Sequence, residues 1–477
     1  MKKVQKSAYL TRIRPVAKAL MDSLCALYPY ASILVTDVSA KNYRVSRSGV
    51  GVSQNTRFGD KGAVIKVYDG KSYAEYATSD LSDAAIPTIL KKIKEELLPM
   101  GEALPQGVAL SAYPALPDDA QVFYGATDYE IHPVDMGDDE ILSHLRSARE
   151  KAMAYDGRVI DAMAYASWQE YHKLFLSKNK DLEQSVLWMT GGVSAFASKG
   201  ESMKDYRKGY SCLGGAEVLH MMEQDAEQVA KVAIALLDSE EMIPGVYDCI
   251  CTPEVTGMIV HEAFGHGVEM DMFVKDRALA QQYVGKYVAS PLVTMHDGAS
   301  AARETATYFF DDEGVFAHDT VVIEKGILKA GISDAQSAMH LGTEPTGNGR
   351  RESYERKAYT RMTNTYFEGG NDRLEDMIAS ISYGMLLENA TSGMEDPKNW
   401  GIQCMVNIAR EIKDDKLTGR IFSPVVLTGY VPDLLKSISM MSETVELGGG
   451  GACGKGYKEW VKVSDGGPYM KAKIRLG

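Results

Sequence analysis

Long apolar runs are missing from this 477-residue chain: none approaches the ~18 residues that a membrane-spanning helix needs, which argues against a transmembrane protein. Cysteine is sparse. The six thiols, Cys25, Cys212, Cys249, Cys251, Cys404 and Cys453, are irregularly spaced, which excludes a disulfide framework and leaves each of them free to bind metal. Positive charge is also short, with a formal net charge of -13 and no dense Lys/Arg cluster interleaved with aromatics, so a nucleic-acid partner is not expected. A signal peptide is lacking too, because Arg12, Arg14 and Lys18 interrupt the apolar stretch that one would require, and a cytoplasmic location is expected. Internal repeats and low-complexity tracts are absent.

What remains is a globular composition, 45% hydrophobic and 25% charged, in a chain long enough for two or three domains. In the first half, helical and strand patterns alternate. Residues 31–38 and 63–68 read as strands, the second turning through Asp69-Gly70, while Ile86, Ile89, Leu90, Ile93 and Leu97 recur at helical spacing. A helix is expected from Asp138 and Asp139, whose charges suit its positive end. A longer one should follow Gly214-Gly215 and run until Pro244-Gly245 stops it. The second half is richer in strand and turn signals, including a hairpin around Lys325-Gly326. The expected architecture is α+β: an N-terminal α/β domain over 1–240 and a C-terminal domain over 241–477, mainly antiparallel β as a sheet or barrel, bearing a metal-binding helix.

The chemistry concentrates at Ile259-Val260-His261-Glu262-Ala263-Phe264-Gly265-His266-Gly267. Two histidines bracketing a glutamate suit a metallohydrolase, in which imidazoles hold the ion and the carboxylate handles the proton. The spacing is unusual, because positions five apart on a regular α-helix are rotated by roughly 140° and cannot share a face. A π-type bulge would bring His261 and His266 together, and Gly265 and Gly267 would make the distortion cheap. Catalytic zinc sites usually take three protein ligands and leave a position for water, so a third ligand is required. Cys453, in the glycine-rich segment 448–456, is the best candidate.

Other polar and sulfur residues read as structural. Cys249 and Cys251 alternate on an expected strand and should be core residues; His296 and His318 should lie in surface turns; Met221-Met222 and Met440-Met441 should serve packing, although methionine also suits an adaptable peptide groove.

HEAFGHGVE at 261–269, PTGNGRRESY at 345–354, RMTNTY at 361–366, TSG at 391–393 and GGGACGKG at 449–456 together resemble the TldD branch of the TldD/PmbA (TldD/TldE) metallopeptidases. SRSGVGVS at 46–53 and YAEYATSDLSD at 73–83 are similar more loosely. The resemblance implies a two-domain subunit that pairs with a second one, identical or a metal-free TldE/PmbA-like paralogue, to enclose a proteolytic chamber. It also implies one zinc ion held by His261, His266 and Cys453, with Glu262 as the catalytic glutamate. The expected reaction is hydrolysis of peptide bonds in unstructured peptides or small unfolded proteins. Arg350, Arg351, Tyr354, Arg361 and Asn364, in the glycine-flanked blocks, are candidates to bind substrate carbonyls or a terminal carboxylate, or else to anchor loops. Two alternatives stay open: a structural zinc completed by Glu269 or Asp271, and a hydrolase of small amides.

Overall fold

The protein was analysed as a computed structural model, which describes residues 1–54, 60–98, 114–457 and 459–477. An eight-stranded sheet runs in the order Ser202–Cys212, Lys180–Lys199, Val159–Ser177, Tyr30–Ser46, Gly62–Tyr68 and Tyr73–Thr78. Gly49–Gln54 pairs alongside Tyr30–Ser46, and Gln121–Ala126 lies parallel to Lys180–Lys199. The remaining pairings in this sheet are antiparallel.

Three helices cover the sheet. Ala8–Leu27 is capped by the Ser7 hydroxyl, which accepts from the Leu10 amide at 2.9 Å, and buries Leu10, Leu20 and Leu24 against Ile33, Val35 and Ile65. Asp138–Ala154, with three acidic residues in its first turn, packs beside Val218–Leu236. The strand positions beneath that pair are mostly small: Ala162, Ala164 and Ala166 on one strand, Ala195 and Ala197 on the next. Alternate residues share a face of a strand, so this run of alanines lets the helices approach closely. Val218–Leu236 stops short of the expected Pro244, because by Glu240 the chain is already bonded to the next body, the Glu240 amide donating to the Ile421 carbonyl.

The second body is built round a closed barrel. Gly245–Cys251, Tyr383–Asp396, Gly401–Lys413, Val425–Tyr430 and Met470–Leu476 pair in that order, and the last returns to pair antiparallel with the first. Only the pair Gly245–Cys251 with Tyr383–Asp396 is parallel within the ring. Cys249 and Cys251 are fully buried in its core with Met385, Leu387 and Ile474. A six-stranded sheet lies beside the barrel and includes Met295–Asp297, Asn364–Phe367 and Ser464–Gly467. Its edge hairpin turns at Lys325 and Gly326, both at positive φ (47° and 84°), as a two-residue turn between twisted strands demands.

His296 departs from expectation. It is a buried residue of the strand Met295–Asp297, stacked on Tyr366 and held between Asp319 at 2.7 Å and Glu368 at 2.8 Å. A histidine paired on both nitrogens can be buried without the penalty that keeps an unpaired one at the surface. His318 is exposed.

The two bodies meet across charge. Lys66 of the first sheet donates to Glu313 at 2.5 Å, Arg351 grips both oxygens of Glu75, and Lys173 bonds Asp312. No helix among the described residues is long and apolar enough to cross a membrane.

Candidate metal centre

The barrel strand Gly245–Cys251 leads through Thr252 into a helix with Pro253 at its first position, where a missing amide hydrogen does no harm. Val255, Ile259 and Val260 bury this helix in the main core. The next turn, His261–Gly265, is π-helical, and the His266 amide donates to the His261 carbonyl five residues back. The wider turn puts both imidazoles on one side, ring centroids 5.2 Å apart and nearly perpendicular. Gly265 contributes space rather than unusual torsion. Its φ is -56°, but any Cβ there would collide with the Met362 sulfur.

The third donor arrives from far along the chain. Cys453 lies on Ala452–Lys455, hairpinned to Glu459–Lys462, and one buried guanidinium holds both strands: Arg361 donates to the Cys453 carbonyl at 2.5 Å and to the Glu459 carbonyl at 3.1 Å. Cys453 Sγ then sits 3.2 Å from His266 Nε2. One ligand atom from each of His261, His266 and Cys453 lies within 4.8 Å of the others, and this is the one such group of potential metal donors among the described residues.

The electrostatics suit a cation. Burial alone would raise the Cys453 pKa, but hydrogen bonds from both histidines bring it down to about 4, so the sulfur is a thiolate. Burial opposes charge on His266, yet its bonds to Cys453 and Glu269 hold its pKa well above the ordinary value. His266 Nδ1 is 3.2 Å from Glu269 Oε2, which orients the ring and leaves Nε2 for the ion. His261 Nδ1 is buried without a hydrogen-bond partner. Two imidazoles and a thiolate fit a divalent metal of the softer kind, with a coordination position left over.

Glu269 and Asp271 do not complete the shell. Lys455 bonds both, at 3.1 Å and 2.7 Å, and Glu269 stands behind the His266 ring. Glu262 lies next to the first ligand, largely buried, with burial pushing its pKa upward. Gly393 on the barrel strand makes room for it: a Cβ at 393 would overlap the Glu262 side chain. A cavity of about 930 Å³ opens onto the three donors and Glu262, with Met258 and Met272 among its walls.

Arg350, Arg351, Tyr354, Arg361 and Asn364, expected to bind substrate or to anchor loops, do not line this cavity; Arg350, Arg351 and Tyr354 line a separate one with Lys173, Asp312 and Trp460. Arg350 donates to the Met362 carbonyl, Arg351 pairs with Glu75, and the Tyr354 ring fills the space over Gly62. Arg361 clamps the cysteine hairpin, and Asn364 is fully buried, bonding the carbonyls of Gly298, Ala299 and Ala302. These bonds tie segments of the chain together, while Arg351 Nε, Arg361 Nε and Asn364 Oδ1 are left without a partner. Two carboxyls escaped the sequence reading. Asp465, 4.0 Å from His261 Nδ1, has a pKa raised to about 6 by burial. Glu395 lies two residues beyond the TSG block at 391–393, on the same strand, and no ligand-like spacing singled it out.

Residues 244–475 match the family model described as PmbA/TldA metallopeptidase C-terminal domain. A metalloprotease TldD homolog of Buchnera aphidicola is 33% identical over 250 residues, 52% of this chain and 51% of that protein. A metalloprotease of Methanothermobacter thermautotrophicus is 28% identical over 69% of this chain and 72% of its own length. A zinc metalloprotease TldD homolog of Saccharolobus solfataricus is 29% identical over 49% of this chain and 52% of its own. The chain thus spans about half the length of the Buchnera and Saccharolobus relatives. Among solved structures, TldE from Thermococcus kodakarensis superposes with a TM-score of 0.72 at 18% identity, covering 96% of this chain and 99% of that one. A candidate modulator of DNA gyrase from Thermotoga maritima gives 0.76 at 16% identity over 98% and 100%. At such identities the superpositions speak for the fold.

Proposed function

The chain belongs to the TldD/PmbA family, and from that premise we propose that it is a zinc-dependent peptidase of the metal-bearing TldD branch, acting on unstructured peptides. The observation that carries the reading is the meeting of His261, His266 and Cys453 within 4.8 Å at a large cavity that Glu262 also lines.

The division of labour follows from the residues. The two imidazoles and the thiolate would hold zinc with one protein-derived negative charge, leaving the ion net positive. Zinc held there would supply Lewis acidity and lower the pKa of water toward ~7. Glu262, lining the cavity beside the donors, would accept a proton from water and deliver it to the departing amine, a double duty that suits a carboxyl whose pKa lies above the ordinary range. Glu269 fixes the tautomer and aim of His266, and Arg361 fixes the hairpin that presents Cys453.

The cavity admits a short extended peptide rather than a folded domain, and its methionines adapt to varied side chains. Assembly with a second subunit, identical or TldE-like, would enclose it, a reading that draws on the TldE-type structural neighbour. Elemental analysis and peptide cleavage test the proposal together. The wild type should carry about one zinc per chain and cleave unstructured peptides, while Glu262→Gln should keep the metal and lose roughly 10²–10⁴-fold in kcat. Normal turnover in Glu262→Gln would remove the assigned role, and a wild type that binds no zinc would remove the reading.

A further inference from the structure

Glu395 stands on the barrel strand Tyr383–Asp396, two residues beyond Gly393 and therefore on the same face. Gly393 yields its space to Glu262; Glu395 reaches the following turn of the metal segment, where a Cβ on Gly267 would lie 2.8 Å from Oε1. The side chain lines the cavity that holds the three donors and Glu262. Both its oxygens are buried and neither has a hydrogen-bond partner among the described residues.

A buried carboxyl with no donor is costly, and native structures rarely keep one without use. Of the cationic side chains lining the cavity, Lys455 pairs with Glu269 and Asp271, Lys275 lies 3.8 Å from Asp271, and Arg277 is exposed; none of them bonds Glu395.

We propose that Glu395 anchors an ammonium group of the substrate, placing a cationic end or side chain beside the scissile bond. This inference rests on the peptidase reading and deepens it. An α-ammonium held there would make the chain an aminopeptidase, the peptide's first residue occupying the space between Glu395 and the metal donors; a lysine ammonium would make it an endopeptidase selective for a basic residue. A primary amine supplies three N–H donors, enough to satisfy both vacant oxygens at once.

Binding separates these arms without turnover. The Glu262→Gln protein, loaded with zinc, is titrated calorimetrically with hexa-alanine bearing a free N-terminus, with its N-acetylated form, and with an N-acetylated form carrying one lysine. The expected result is that an ammonium-bearing peptide binds at least about tenfold more tightly than the acetylated hexa-alanine, and that Glu395→Gln in the same background abolishes the difference. Preference confined to the free N-terminus assigns the α-ammonium; preference for the lysine peptide assigns the side chain. Equal affinity for all three, a preference that survives Glu395→Gln, or a second zinc per chain lost with Glu395 would overturn the proposal. Unchanged zinc content and melting temperature in Glu395→Gln show that the fold and metal centre are intact. Failure of the wild type to cleave any peptide would count against the peptidase reading, whereas the binding comparison judges Glu395 by itself.

Discussion

Two clusters in this molecule use the same residue types to opposite ends. In the first body, Glu170 accepts from His132 at 2.6 Å and from His172 at 2.8 Å, His172 Nδ1 meets the Ser185 hydroxyl at 2.8 Å, and His132 Nδ1 accepts from the Val134 amide. Every ring nitrogen there has a partner within the chain. In the second body, His261 and Glu262 on a π-helical turn and His266 just after it face a cavity with His261 Nδ1 and both Glu395 oxygens unsatisfied. Leftover bonding capacity that faces a cavity, rather than the presence of histidine and glutamate, distinguishes the second cluster from the first.

Substitutions can break or sharpen this contrast. The largest effect should come from Cys453→Ala, which leaves two imidazoles to hold zinc; metal content by elemental analysis should fall below stoichiometric, and cleavage of unstructured peptides should drop to background. Glu269→Gln should weaken zinc binding roughly 10–100-fold in a chelator competition, because His266 loses its anionic support while all three donors remain. The matching change in the other cluster, Glu170→Ala, should leave zinc content and cleavage unaltered and lower the unfolding free energy by about 1–3 kcal/mol in a denaturant titration. Loss of zinc in that variant would erase the distinction drawn between the clusters.

The smallest effect concerns His296. Burial lowers its pKa, but Asp319 and Glu368 together raise it above the ordinary value. A base whose folded pKa is raised contributes stability that is fully present below its unfolded pKa of about 6.5 and fades as pH climbs through the folded value. His296→Ala should therefore lower the melting temperature more at pH 5.5 than at pH 9, and equal losses at both would contradict the ion pairs.

The metal turn was legible because its spacing is awkward: histidines five apart cannot share the face of an α-helix, so a widened turn was the way to unite them, and His261–Gly265 is one. The barrel strand bearing Cys249 and Cys251 announced itself by alternation. The long strand Lys180–Lys199 did not, because its residues from Leu182 to Ala195 are buried on both faces, helices on one side and the 305–312 segment on the other, and period two vanishes. Arg361 and Asn364 looked like substrate ligands because polar residues beside glycines suit a binding loop; their use as internal clamps depends on carbonyls from distant segments that no local pattern discloses. Glu395 was invisible for a related reason, since its meaning lies in a partner the chain does not supply.

The closure of the barrel has a consequence for biosynthesis. The strand that carries the metal helix, Gly245–Cys251, is flanked on one side by Met470–Leu476, and the thiolate comes from residue 453. At a translation rate of roughly 5–20 residues per second, the two imidazoles leave the ribosome many seconds before their third partner and the closing strand exist. A site that needs all three donors can therefore be completed only after residue 453 has been made. A lesion confined to the closing strand would yield chains lacking metal although every ligand is intact.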